Sequence, residues 1–360
     1  MPLRNLSEAA RHVILSGAQR SEESRSGIQH DEDGRTPGAD QRIQVESDES
    51  NKAESKKEVG LMYAITGATG NTGSVIAEKL LERGEKVRVI GRDAKRLARF
   101  VQKGAEAFVA DLTDAAALAK AFDGARAVYL MIPPITSTDP RADQEQASDA
   151  LVSAVEKASV QHAVVLSSYG ADKPEKTGPV VGLHNLEQKV NRIAGLNAVY
   201  LRAGYFMENL LPQTAVIQKF GIVGGPLRAD LPVPMIATRD VGAAAAQALV
   251  KLDFTGKQAR ELLGQRDVTY REVASVIGKA IGRPDLAYVQ MPPQQLKPAL
   301  VQMGMSPNVA DLILEMAESL NSGYMVALEP RSPRNTTPTP IETFVLEEFV
   351  PRFQGKAAGA

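Results

Sequence analysis

The chain has no cysteine and no tryptophan among its 360 residues. Without thiols there can be no disulfide, no thiolate nucleophile and no cysteine-ligated metal. Histidine is scarce too, with only His12, His30, His162 and His184, which leaves little material for a zinc or iron site. Neither sign of charge is in excess. The formal net charge is −1, so nucleic acid and anionic membrane surfaces are not expected partners. No apolar run approaches the roughly 18–20 residues needed to span a bilayer. These absences predict a cytoplasmic protein that acts on a small molecule, with a homodimer as the only protein partnership expected.

Aromatic residues are missing altogether from residues 1–60, which are rich in Ser, Glu, Asp, Gln, Arg and Gly. Nine Lys/Arg and twelve Asp/Glu fall there. So little apolar surface cannot offset the entropy of ordering the stretch. Its one apolar patch, HVIL at 12–15, is too short for a signal-peptide core. The segment reads as a disordered tail, or as one that is not translated. Met62 stands where a compact dinucleotide-binding domain would begin, and initiation there is the working expectation.

From residue 61 short β-rich runs alternate with amphipathic stretches. Strands are expected at 61–66, 86–90, 107–110, 127–132, 163–167 and 197–201, with helices between them at 72–83, 93–103, 115–122, 142–157 and 184–194. That rhythm implies right-handed βαβ crossovers and an α/β fold, a Rossmann-type doubly wound parallel sheet. After Gly204 prolines interrupt the alternation, and helices are expected at 239–252, 270–281, 294–303 and 308–320. The organisation predicted is an NAD(P)-binding domain over 61–203 and a mixed substrate lobe over 204–335, interleaved with the core. A C-terminal helix and tail over 336–360 complete it, the helix at 341–349 being ended by Pro351.

The stretch AITGATGNTGSV at 64–75 follows the first expected strand and opens the first expected helix. Gly67 permits a tight exit from the strand, and Gly70 lets the backbone approach a pyrophosphate. Gly73 allows close helix packing, and the helix N-terminus offers free N–H groups to phosphate. Thr69, Asn71 and Thr72 complete the loop. An NAD-preferring site usually ends its second strand with a carboxylate for the ribose hydroxyl. Here Arg92 falls at that point with Lys95 and Arg96 close behind, which favours NADP(H) over NAD(H). Asp93 and Asp114 suit helix N-caps, and Asp111 sits where adenine is normally held. Met131 and Pro133 end the fourth strand and Ser167 the fifth, at the strand edge where a cofactor lies.

With GATGNTG at 67–73, GRDAKRL at 91–97, AVVLSSYGAD at 163–172 and the block at 183–211, the chain resembles the NmrA-like family of atypical short-chain dehydrogenases/reductases. The resemblance covers essentially all of 62–350. It implies a Rossmann domain with a small C-terminal lobe, as in bacterial NAD(P)H:quinone oxidoreductases, azoreductase-like enzymes and redox-sensing co-regulators. It also implies that His184 and Lys189 face the nicotinamide and substrate.

Tyr169 and Lys173 have the Tyr-x-x-x-Lys spacing of a proton-transfer dyad, but Gly170 and Pro174 argue against the helix that dyad needs. His184 is the better proton carrier near neutral pH. Glu187 would either orient its imidazole or complement the helix N-terminus. Arg202 suits either a carboxylate partner or an anchor for the turn after it. Tyr169, Tyr205, Phe206 and Asn209 offer aromatic faces and an amide to a flat, oxygen-bearing substrate. The expected function is NADP(H)-dependent reduction of a quinone or similar conjugated carbonyl. The alternatives are a redox sensor that binds the coenzyme without turnover and, less favoured, a sugar-nucleotide epimerase or dehydratase.

Overall fold

A computed structural model describes residues 62–133 and 137–355; the expectations for residues 1–60 lie outside the described residues. The first half alternates strictly: β1 (Met62–Ile65), α1 (Asn71–Glu82), β2 (Lys86–Gly91), α2 (Ala94–Val101), β3 (Glu106–Val109), α3 (Ala115–Phe122), β4 (Ala125–Leu130), α4 (Pro140–Lys157), β5 (His162–Ser168), α5 (Val180–Asn191) and β6 (Asn197–Ala203). Local chemistry sets many of these boundaries. Asp93 accepts from the Lys95 N–H and Asp114 from those of Ala116 and Ala117, so both are the N-caps expected of them. Asp139 caps α4, whose first turn holds Pro140, a residue suited to that place because its missing N–H would go unused.

Seven strands pair in the order β10–β6–β5–β4–β1–β2–β3, where β10 is Lys257–Leu262. Every pairing in this sheet is parallel. A parallel sheet must be covered on both faces, and it is. Tyr63, Ile65, Val87 and Tyr129 pack toward α1, α2 and α7 (Thr238–Lys251). Ala64, Ile90, Val128 and Leu130 pack toward α3, α4 and α5. The strand order reverses between β1 and β4, the point where open α/β sheets hold ligands.

A smaller set of elements follows β6. β7 (Tyr205–Phe206), β9 (Val233–Ile236) and β11 (Asp267–Val268) make a three-stranded sheet, and β8 (Val223–Gly225) pairs with β12 (Tyr288–Gln290). Around them lie α6 (Gln213–Phe220), α8 (Tyr270–Ala280), α9 (Pro293–Gln302) and α10 (Pro307–Asn321). Part of the expected lobe returns to the main sheet: β10 is its last strand, and Gly242 of α7 lies against Val75 and the Thr72 carbonyl of α1.

Two helix boundaries differ from expectation. Helix α5 begins at Val180, so His184 lies in its second turn and not at its start. The last helix, α11, does not stop at Pro351. It runs Ile341–Phe344, then a π turn at Val345–Phe349, then Val350–Phe353. A proline ring clashes with the carbonyl four residues earlier; a wider turn just before Pro351 relieves that clash and lets the helix continue. Among the described residues no helix is long and apolar enough to cross a membrane.

The 3-10 turn Met207–Leu210 couples the two parts. Glu208 Oε1 accepts from both the N–H and hydroxyl of Thr238, at 2.9 and 2.5 Å, capping α7 from outside its own sequence. Its other oxygen is buried without a partner. Burial raises the Glu208 pKa above the ordinary 4.5. The folded state therefore disfavours the ionised form, and stability is lost as pH rises from the unfolded pKa through the raised folded one. Tm should therefore fall as pH rises above about 4.5, and replacing Glu208 by Gln should flatten that fall in calorimetric scans.

Candidate active site

The glycine loop turns on close backbone contacts. Gly67 has φ +60°, a conformation that favours glycine. A Cβ on Gly67 would meet Met131 Sδ at 2.8 Å, and one on Gly73 would lie 2.3 Å from the Gly67 carbonyl oxygen. Helix α1 starts with Gly70 as N-cap, with no side-chain capping bond and no acidic residue in its first turn. Its first N–H groups and the positive end of its dipole therefore have no side-chain partner, the arrangement an anion or diphosphate fills.

Around this loop the structure gathers several of the expected residues. Met131, just beyond β4, packs against Gly67, and Pro133 follows on the same segment, half-buried. Thr72 is buried, and its hydroxyl accepts from Tyr129 OH at 2.9 Å, which ties the first turn of α1 to β4. Thr69 is half-buried and Asn71 exposed in the bend. Arg96 Nη2 donates to the Thr69 carbonyl at 3.0 Å, so a guanidinium already rests on the loop. Arg92, just after β2, and Lys95, in the first turn of α2, are exposed. Asp111 accepts from the N–H and hydroxyl of Thr113; those bonds, with the nearby Arg92 charge, lower its pKa. The residues present thus fit a dinucleotide.

At the ends of β5 and β6 a polar row crosses three strands. Ser167, Arg202 and Glu261 are register partners on β5, β6 and β10. Glu187 enters this row from α5. Its carboxylate takes a two-point ion pair from Arg202, at 3.0 and 2.6 Å, and the Ser167 hydroxyl at 2.5 Å, while only 2% exposed. Both roles expected of Glu187 are corrected by this: it neither orients His184 nor sits as a free charge at the helix end, because the guanidinium beneath α5 engages both of its oxygens. Arg202 accordingly takes the carboxylate partner, and the Ser167 hydroxyl is committed to Glu187. Glu261 is buried as well and accepts the N–H groups of Leu328 and Glu329.

His184 stands half-buried with Nδ1 2.9 Å from the Ala171 carbonyl. A carbonyl only accepts, so Nδ1 carries hydrogen and Nε2 is the nitrogen left to gain or lose a proton. Lys189 is not brought beside it. Five residues further on it lies about 7.5 Å along the helix, with its ammonium held by Glu145 and Asp149 of α4 at 2.6 and 2.5 Å. Lys173, in turn, pairs with Asp172 and lies over the Tyr324 ring. Tyr169 precedes it in a turn rather than a helix, as expected from Gly170 and Pro174.

Tyr205 and Phe206, both half-buried, form β7, and Asn209 is exposed on the next turn. Phe206 packs toward the main sheet and Tyr205 toward the smaller sheets. The Tyr205 ring meets Tyr270 edge-on, with centroids 6.4 Å apart, and Tyr270 meets Tyr288 at 4.9 Å. Sequence reasoning missed Tyr270 and Tyr288. Tyr270 follows β11, whose pairing through β9 to β7 brings it to Tyr205, and Tyr288 lies on β12, paired with β8; such short strands leave no local signal.

The profile of the NmrA-like family matches residues 62–350. The chain belongs to the NmrA-like family. It is 30% identical over 285 residues to the NAD(P)H azoreductase of Xenophilus azovorans, covering 79% of this chain and 95% of that protein. It is 26% identical to quinone oxidoreductase 2 of Escherichia coli, over 73% and 89% of the two chains. The crystal structure of the E. coli NADPH-dependent quinone oxidoreductase QOR2 complexed with NADPH superimposes with a TM-score of 0.65 at 22% identity. That match spans 83% of this chain and 96% of the other, and shares the Rossmann-type fold.

The loop geometry makes a direct prediction. In Gly73→Ala the new methyl group meets a backbone carbonyl that cannot swing aside, so the bend must open. The affinity for NADPH, measured by calorimetric titration, should fall by about tenfold or more, with a lower Tm.

Proposed function

We propose that this NmrA-like protein is an oxidoreductase that prefers NADP(H) to NAD(H) and reduces a quinone or a similar small conjugated carbonyl. The observation that carries this reading is the uncapped start of α1 beneath a loop whose geometry excludes side chains, with Arg92, Lys95 and Arg96 beside it. A pyrophosphate suits the first feature and a ribose phosphate the second. Kinship with proteins named for azo and quinone reduction with NAD(P)H supports the chemistry. Coenzyme sensing without turnover has no comparable support.

The coenzyme supplies a hydride when bound. In this reading Gly67, Thr69, Gly70, Asn71, Thr72 and Gly73 hold its diphosphate, and Arg92 with Lys95 holds the added phosphate. Asp111 lies toward the adenine, and Met131, Pro133 and the Ser167 edge lie toward the nicotinamide. Tyr169, Tyr205, Phe206 and Asn209 form the substrate wall. A quinone that takes a hydride becomes a hydroquinone monoanion and needs one proton. His184 Nε2 gives it, with Nδ1 anchored by Ala171 so that the ring does not turn. The carboxylates on Lys189 tie it to α4, so its part is to hold α5 in place rather than to touch substrate.

Three measurements test this. Purified protein should oxidise NADPH in the presence of quinones faster than NADH; failure with a broad panel of quinones, azo dyes and flavins would remove the enzymatic reading. Arg92→Ala should weaken NADPH binding roughly ten- to a hundredfold more than NADH binding, and equal losses would take Arg92 out of the site. His184→Ala should lower kcat with quinones across the range from about pH 5 to pH 9. An unchanged profile would leave water as the proton source.

A further inference from the structure

Four tyrosines gather at the substrate wall, and one differs from the rest. Tyr205 meets the Tyr270 ring edge-on with centroids 6.4 Å apart, and Tyr288 OH donates to the Leu227 carbonyl at 2.7 Å. Tyr169 is only 3% exposed, yet its hydroxyl has no partner. Seven buried side-chain atoms among the described residues lack a partner, and three of them belong to Tyr169, Asp172 and Thr177. That concentration falls on the short segment between β5 and α5, at the carboxyl edge of the sheet.

A buried donor left unpaired costs about 1–3 kcal/mol, and native proteins rarely keep one without a reason. Tyr169 follows β5 and Tyr205 follows β6, so both rise from the strand ends where ligands bind in open α/β sheets. Tyr205, Tyr270 and Asp267 are close enough to act on the Tyr169 phenol electrostatically. Asp267 is itself engaged by Arg331. Burial pushes the phenol pKa up, and Lys173, the one lysine at helical spacing, is turned to Asp172 and Tyr324. The hydroxyl therefore stays neutral. It cannot act as a base, but it offers one hydrogen to an acceptor.

We propose that the Tyr169 hydroxyl is the specificity donor of the substrate site, selecting flat rings that carry an acceptor oxygen, quinone-type carbonyls, over hydride acceptors that lack one. This rests on the reading of the Tyr205–Asn209 region as the substrate wall. A triarylmethane cation also accepts hydride, at a carbon, but presents no oxygen to complete the phenol. The selection lies in binding and orientation; the proton for the reduced product comes from elsewhere.

The test is Tyr169→Phe in the full chain, with three readouts. Its Tm without ligands should match or exceed that of the parent, since an unpartnered hydroxyl contributes nothing to the fold; a drop of several degrees would reveal an internal partner and overturn the proposal. Calorimetric titration with 1,4-naphthoquinone, with and without NADP+, should show binding weakened about tenfold or more. Equal affinity in both proteins, or no quinone binding by the parent, overturns it; the former outcome would mean that water alone serves the hydroxyl. Running the titration in both coenzyme states separates a failed coenzyme assignment from a failed substrate assignment. In steady-state assays with NADPH the loss in kcat/KM should fall at least fivefold more heavily on the quinone than on a cationic triarylmethane dye, and an even loss counts against selectivity.

Discussion

The carbonyl oxygen of Gly67 stands 2.3 Å from where a Cβ on Gly73 would be, and most of the site's geometry follows from that closeness. Because neither residue carries a side chain, the chain can leave β1, reverse and enter α1 within a few residues. The helix then starts almost on top of the strand, with its N–H groups unopposed. Met131 fills the remaining side of the bend, and the Tyr129–Thr72 bond pins the first turn from below. A binding surface made of backbone is stiff, so little ordering entropy is lost when a ligand arrives.

A second constraint organises the opposite edge. The Glu187–Arg202 pair is buried, and removing one partner of such a pair costs about 3–5 kcal/mol because the other charge is stranded. Two-point geometry and the added Ser167 hydroxyl satisfy both carboxylate oxygens. The pair locks the rotation of α5 against β5 and β6. His184, one turn earlier on that helix, inherits its place from this lock, as does its carbonyl partner in the loop leaving β5.

What could be read from the sequence was what short-range patterns encode. The strand–loop–helix at 62–82, the capping aspartates and the cationic cluster after β2 each depend on neighbours within a few positions. Glu187 was misassigned because helical spacing suggests a partner on its own helix, whereas its true partner lies fifteen residues on, across a strand. Tyr270 and Tyr288 were invisible for a related reason: the contacts that join them to Tyr205 pass through minimal strands with no periodicity. Pro351 misled differently. Local rules treat a proline as a stop, and only the packed helix shows that one widened turn can absorb it.

The seventh strand of the main sheet, β10, comes from beyond the point where the smaller elements begin. The smaller elements are therefore stitched into the sheet rather than appended to it. A fragment cut after β6 would bare the full edge of a long apolar strand, an invitation to self-association. Exchange of the smaller elements between relatives would then need two crossovers that respect this edge, so diversification within this scaffold is steered toward point changes instead of wholesale replacement.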